Sequence, residues 1–228
     1  MTDVALVELE GVVFETRCVR RASLCDALDA HSLDAVFDPD DVLGLPARAA
    51  VVVALAGAHL HADDVLIDLI AASADRAFSS KVALGAVTLQ PGAREFLERA
   101  GSSVRLGAVT RARRADVDTL LRLAGLEHVF ATIVTADDVL DQKPSSEGHL
   151  LAIERLARLR PVNRGSVLAL EDAASGIAAA RTCGLSCVAV GRVPAHIAME
   201  ADAYVGALEG QTLSALVQLA RPGEERVQ

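Results

Sequence analysis

At 228 residues the chain is long enough for one large domain, or for a core domain with a smaller insertion, and it can bury most of its apolar surface. Its net charge of -9 opposes non-specific binding to nucleic acid or to an anionic membrane, since both need a basic surface. With one Tyr and no Trp, aromatic stacking on bases or sugars is not a theme.

Residues 4–7, Val-Ala-Leu-Val, are too uniformly apolar for a surface strand and too few for a helix, so they predict a strand buried on both faces of a parallel sheet. Side chains alternate across a strand, so Glu8 and Glu10 leave its carboxyl end on one side, and Gly11 supplies the turn that follows. In open parallel sheets, ligands sit in the crevice outside such strand ends. The same two glutamates interrupt the amino-terminal apolar run, so no secretory signal is expected. The longest apolar run, 49–58, is about half of what crosses a bilayer, and a soluble cytoplasmic protein is the expectation.

Residues 17–30 carry apolar side chains at helical spacing, and Asp38-Pro39-Asp40-Asp41 predicts a turn. A helix over 46–56 would carry Pro46 in its first turn, and 62–83 predicts another, bent around Ser79-Ser80. His59 and His61 fall on the loop between them, where a solvated pair is the expected reading rather than a metal pair. Residues 17–84 thus form an all-helical block. From Thr88 onward strands and helices alternate. Helices are predicted over 91–100 (closed by Gly101), 115–124 (stopped by Gly125), 147–159, 175–183 (closed by Gly184) and 212–220. Strands are predicted over 104–109, 131–134, 166–170, 187–190 and 203–205, and 221–228 reads as a frayed tail. This pattern predicts an α/β core with a Rossmann-like parallel sheet, residues 1–15 and 86–228, interrupted by a helical domain, residues 16–85. Cys18, Cys25, Cys183 and Cys187 lack the paired spacing of a zinc site and read as reduced, buried thiols.

Several predicted strand ends carry polar groups: Glu8 and Glu10, then Thr110, then Glu171 with Asp172. Carboxylates gathered at one sheet edge repel unless a cation sits among them, and magnesium suits such a site because it prefers oxygen ligands. Helix capping is the plainer reading of Glu171-Asp172. Lys143, one of two lysines, stands in Gln-Lys-Pro-Ser-Ser. Its compact ammonium on a Pro-fixed loop suits a point contact to phosphate or carboxylate, against the plainer reading of a surface lysine.

Four segments together resemble the haloacid dehalogenase superfamily, in its phosphatase and phosphomutase branch with a helical cap after the first motif. They are Val7-Glu8-Leu9-Glu10-Gly11-Val12-Val13, Ala108-Val109-Thr110, Lys143-Pro144, and the run from Glu171-Asp172-Ala173-Ala174-Ser175-Gly176 to Ala180. The resemblance implies an acid at position 8 that attacks phosphorus to form a carboxyl-phosphate, and one at position 10 that shuttles a proton. It implies that Thr110 and Lys143 hold the transferring group, and that Asp172, supported by Glu171, binds Mg2+ with Glu8 and the main-chain carbonyl of Glu10. Arg48, Arg111 and Gly11 become candidate contacts to a small phosphorylated metabolite. For Arg48, and for the run Arg111, Arg113 and Arg114, a solvated basic surface is the competing reading. Arg20 falls where sugar phosphomutases of this branch carry a histidine.

One departure stands out: the family's two first-motif aspartates are both glutamates here. The extra methylene moves each oxygen by roughly 1 Å, and a misplacement of that size can cost about a hundredfold in rate. Two expectations follow: a magnesium-dependent hydrolase of a small phosphate monoester, or a catalytically degenerate relative that binds a phosphorylated or carboxylated ligand, or a protein partner, without turnover.

Overall fold

The computed structural model describes residues 2–34, 36–42 and 44–221. In chain order its strands are β1 (Val4–Val7), β2 (Phe14–Glu15), β3 (Thr88–Leu89), β4 (Arg105–Val109), β5 (Thr132–Val134), β6 (Val167–Glu171), β7 (Ser186–Val190) and β8 (Ala203–Val205). Its helices are α1 (Arg17–Ala30), α2 (Ala47–Gly57), α3 (Asp64–Ala83), α4 (Ala93–Gly101), α5 (Arg114–Ala124), α6 (Glu147–Leu159), α7 (Ala174–Thr182), α8 (Ala195–Ala198) and α9 (Leu213–Leu219). The chain divides into two units, Met1–Phe14 with Leu89–Gln228, and Glu15–Thr88.

In the first unit six strands pair in parallel in the order β5-β4-β1-β6-β7-β8. β1 is central because its four residues are buried on both faces, which only a sheet covered by helices on each side allows. Alternate residues Val4, Leu6, Val167 and Ala169 share one face with Ala152, Ile153 and Leu156 of α6 and Ile177 and Ala180 of α7. The chain builds outward from β1 through β4 to β5, then crosses back to β6 on the other side. This reversal places the topological switch, and hence the expected ligand crevice, at the carboxyl end of β1.

The register brings specific residues level. Val7 pairs with Ala108 on one side and Leu170 on the other. One step further along, Glu8, Val109 and Glu171 therefore stand abreast. The Glu8 N–H donates to the Leu170 carbonyl at 3.0 Å, which extends the ladder to that level.

In the second unit α1 and α2 pack on α3, with Leu24, Leu28, Val51, Leu55 and Ile70 in the core. Asp63 caps α3 by accepting the Leu66 N–H at 2.8 Å. The expected bend at Ser79-Ser80 is not a break: α3 runs through both serines, with neither Gly nor Pro in its span, and Phe78 and Val82 stay buried on either side. The Arg20 guanidinium lies 3.5 Å from the Phe78 ring centroid and bonds Asp75.

Three local expectations are corrected. The helix expected over 91–100 begins at Ala93, because Gly92 adopts a left-handed φ of +74° where a Cβ would lie 2.3 Å from the Glu209 backbone. Gly101 is its last residue rather than its stop. Cys18, expected to be buried, is exposed, while Cys183 and Cys187 are buried and all four thiols are free. The short helix α8 carries too few residues to show a period. Beyond Arg221, the expected tail lies outside the described residues.

Candidate active site

At the carboxyl edge of the sheet the apolar core face gives way to a buried polar cluster. Continuing the alternation of Val4 and Leu6, the Glu8 side chain turns toward the α6 side, as Glu171 does after Val167 and Ala169. Lys143, from the loop before α6, enters between them. Its ammonium donates to Glu8 Oε2 at 2.7 Å, to Glu171 Oε1 at 2.7 Å and to the Val109 carbonyl at 2.8 Å. These acceptors are the residues that the register set abreast. All three N–H groups of the ammonium are used, with the side chain 4% exposed.

The other Glu8 oxygen folds back on its own backbone. Oε1 accepts the Leu9 N–H at 2.8 Å and the Glu10 N–H at 3.2 Å. Successive main-chain N–H groups aimed at one point form an anion-binding nest, and here the chain's own carboxylate fills it.

Asp172, one residue past β6, sits over Gly11. A Cβ on Gly11 would lie 1.8 Å from Asp172 Oδ2, and Gly11 has a φ of +82°, so position 11 needs glycine twice over. Glu171 has a similar seat, since a Cβ on Gly176 would lie 1.9 Å from its Oε2. The capping reading of this pair is not seen: Ala173 occupies the N-cap of α7, with no side-chain cap bond.

Burial alone would pull the Lys143 ammonium below its ordinary value, but the Glu171 and Glu8 carboxylates outweigh it and the net direction is up. Burial likewise pushes Glu171 up, and Lys143 with His149 overcome this and hold it below the usual carboxylate range. Asp172 goes the other way. Burial first, then the charges of Glu8 and Glu171, push it up to about 8 against partial relief from Lys143 and Arg111. The cluster is thus short of positive charge at Asp172.

Thr110 follows β4, buried, with Oγ1 accepting the Ala112 N–H at 3.3 Å. Thr110, Arg111, Thr135, Asp141, Gln142 and Lys143 line an open pocket. Glu10 is half-buried beside Gly11. The structure therefore brings Glu8, Lys143 and Glu171 into direct contact, with Asp172 against Gly11, and places Thr110 and Arg111 on the pocket that Lys143 also lines. Arg48 belongs to the helical unit, where its exposed guanidinium bonds Asp68 at 2.8 Å and also Asp64. Arg114, read as part of a solvated basic turn, instead donates to Asp138 at 2.7 Å and to the Ile133 carbonyl at 2.9 Å.

Sequence reasoning passed over His149. It sits in the first turns of α6, fully buried, with Nε2 3.0 Å from Glu171 Oε1. The signal was present: His149, Ala152, Ile153 and Leu156 follow helical spacing, so the imidazole lies on the apolar face of its helix.

Among the described residues no three His, Cys, Asp or Glu side chains gather into a group that could hold a metal ion by themselves. Magnesium needs less, since one or two carboxylates with waters and substrate phosphate usually suffice. Asp172, half-buried beside like charges and pressed against a residue without a Cβ, together with Glu8, fits that requirement. Glu171, expected among the ligands, is committed to Lys143 and His149 through Oε1.

Comparison with known proteins agrees with this geometry. Residues 45–190 match the family model of haloacid dehalogenase-like hydrolases. Protein CbbY of Rhodobacter capsulatus is 30% identical over 194 residues, covering 80% of this chain and 82% of the relative. Validoxylamine A 7'-phosphate phosphatase of Streptomyces hygroscopicus subsp. limoneus is 30% identical over 193 residues, covering 82% of this chain and 85% of that protein. Among solved structures, CbbY from Rhodobacter sphaeroides in complex with phosphate superposes with a TM-score of 0.79 at 23% identity, over 95% of this chain and 100% of that one. Matched over most of its length by sequence and nearly all of it by fold, the chain belongs to the haloacid dehalogenase-like hydrolase family.

Proposed function

We propose that this protein is a magnesium-dependent phosphatase acting on a small phosphate monoester, with the helical unit Glu15–Thr88 as its cap. The observation that carries the reading is the Lys143 ammonium, held at the sheet edge by Glu8, Glu171 and the Val109 carbonyl. A fixed buried cation against a carboxylate is what phosphoryl transfer asks of a protein, because the chemistry is mostly positioning and charge stabilisation. That relatives include a named phosphatase adds support.

In this reading a Glu8 oxygen attacks phosphorus and the bond to the ester oxygen breaks, with the leaving alkoxide taking a proton from Glu10. Water then attacks the carboxyl-phosphate, returns a proton to Glu10, and releases phosphate with Glu8 restored. Lys143 stays protonated and stabilises the transferring oxygens, with Thr110 orienting them. Glu8 and Asp172 would hold the magnesium ion, which supplies further neutralisation of phosphoryl charge.

A specific observation favours a second reading, in which the chain binds an anionic ligand without turning it over. Both Glu8 oxygens are engaged, one by the nest of Leu9 and Glu10 N–H groups and one by Lys143, so attack requires one bond to open. The deciding experiment pairs the native protein with the Glu8→Asp, Glu10→Asp double variant on a phosphate-ester panel with magnesium. Ordinary turnover by the native protein supports the phosphatase. Turnover by the double variant alone supports the binding role.

A further inference from the structure

We infer that His149 is a positioning residue for phosphoryl transfer, acting through Glu171 to aim the Lys143 ammonium at Glu8. The inference deepens the phosphatase reading and rests on it. His149 is buried without remainder, and its Nε2 lies 3.0 Å from Glu171 Oε1. Its Nδ1 is the one buried side-chain nitrogen or oxygen without a partner among the described residues. A ring kept only to fill space would be cheaper as an apolar side chain, like the Ala152, Ile153 and Leu156 that share its face. The imidazole is placed for its single bond to Glu171.

The partners decide where the ring proton sits. Glu171 Oε1 already accepts from Lys143 at 2.7 Å and offers only lone pairs, so Nε2 donates. A proton on Nδ1 would be a buried N–H with no acceptor, whereas a bare lone pair there is less costly. The structure thus assigns a ring proton to Nε2, donated to Glu171.

Two donors therefore converge on Oε1, while Oε2 is seated over Gly176, where even a Cβ would lie 1.9 Å away. Glu171 is fixed in one orientation. With Glu171 and the immobile Val109 carbonyl taking two N–H groups of Lys143, the third can point only at Glu8. That third N–H is the one that meets the phosphoryl oxygens once Glu8 has attacked. Losing the His149 bond frees Glu171 to turn, and Lys143 loses its aim without losing its charge.

Three proteins test this: native, His149→Phe, which fills the volume without a donor, and His149→Gln, which offers an amide N–H in place of Nε2. Expected for the Phe variant is a kcat lower by about tenfold or more, as for other residues that orient a reacting group's partner, with KM within about twofold of native. The Gln variant should recover most of kcat. Equal kcat in all three, or a fall in kcat that tracks a falling melting temperature and is not rescued by Gln, overturns the inference. A second readout is independent of turnover: long-range 1H–15N spectra of the native protein, with His149 assigned by its loss in the Phe variant. A ring protonated at Nε2 is expected. Protonation at Nδ1 alone, with Nε2 bare, overturns the inference whether or not any ester is hydrolysed. An Nε2-protonated ring in a protein that hydrolyses no ester upholds the contact to Glu171 and overturns the phosphatase reading instead.

Discussion

Replacing Lys143 by Met keeps most of the side-chain volume and removes the charge on which the cluster is built. Three charge-assisted bonds of 2.7, 2.7 and 2.8 Å disappear, and Glu8 and Glu171, with side chains 6% and 2% exposed, are left facing each other. Removing one partner of a buried ion pair costs about 3–5 kcal/mol, because the remaining charge is uncompensated. That is a large share of the roughly 5–15 kcal/mol by which a domain is usually stable. The loss should depend on pH in a definite direction. Glu171, held below its ordinary 4.5, contributes stability above that value and loses it as pH falls through its lowered one. Lys143, raised above 10.5, contributes below that value and loses it as pH climbs through its raised one. Neutral pH lies inside both windows, so the variant is weakest there relative to native, and the gap narrows in acid as Glu171 takes up a proton. Urea unfolding followed by tyrosine emission is the assay. Tyr204 in β8 is the single tyrosine of a chain without tryptophan, so the signal reports the sheet unit alone. A loss under about 1 kcal/mol at pH 7, within the range of a surface pair, or a gap that does not narrow in acid, would refute the reasoning.

Other expectations are briefer. Asp138 ties Arg155 at 2.8 Å, Arg114 at 2.7 Å and the Thr135 N–H and hydroxyl at 2.8 and 2.7 Å. Asp138→Ala should cost about 2–3 kcal/mol in urea unfolding at neutral pH. Burial opposes its charge, but Arg155 and Thr135 hold it well below the carboxylate range, so its contribution survives in moderate acid and fades only as pH falls through that lowered value. Gly11→Ala should strain a φ of +82° and displace the Asp172 carboxylate, abolishing the rise in melting temperature with magnesium that the proposed function expects of the native protein. Gly210→Ala, at a φ of +70° with nothing within 4 Å, should strain the backbone yet leave the magnesium response intact. An equal magnesium response in the Gly11 and Gly210 variants would detach Gly11 from the metal site. Glu8→Ala should empty the nest of Leu9 and Glu10 N–H groups and tighten binding of inorganic phosphate in calorimetry, whereas unchanged binding would mean that the carboxylate does not compete for it.

The sheet was legible because its strands are buried on both faces: the uniform apolar run at Val4–Val7 and the Gly125 and Gly184 stops each had a single local cause. The site was legible as far as residues lie at strand ends. Glu8, Thr110 and Asp172 follow a strand and Glu171 ends one, and parallel pairing brings such ends to one edge without help from tertiary detail. What escaped depends on direction and partners. Arg114 and Asp138 find each other across 24 positions, and nothing local separates that arginine from a solvated one. Sequence shows the Glu171 carboxylate but not that its Oε1 turns to Lys143 and His149. His149 is the intermediate case, readable as an anomaly on an apolar helix face but silent about its partner. The return of Glu8 onto its own N–H groups needed atomic geometry.

The central position of β1 bears on how the chain is made. A ribosome releases β1 first, yet its neighbours β4 and β6 emerge only later, at Arg105–Val109 and Val167–Glu171. At about 5–20 residues per second, β1 waits on the order of ten seconds or more for its second partner. The helical unit, continuous in sequence from Glu15 to Thr88, has all its contacts to hand long before that. During the wait, Val4–Val7 is a short sticky strand with both edges bare, the kind of segment that seeds aggregation. Asp3, Glu8 and Glu10 bracket it closely. Acids at these places set like charges against a second nascent chain, a placement that suits gatekeeping during synthesis.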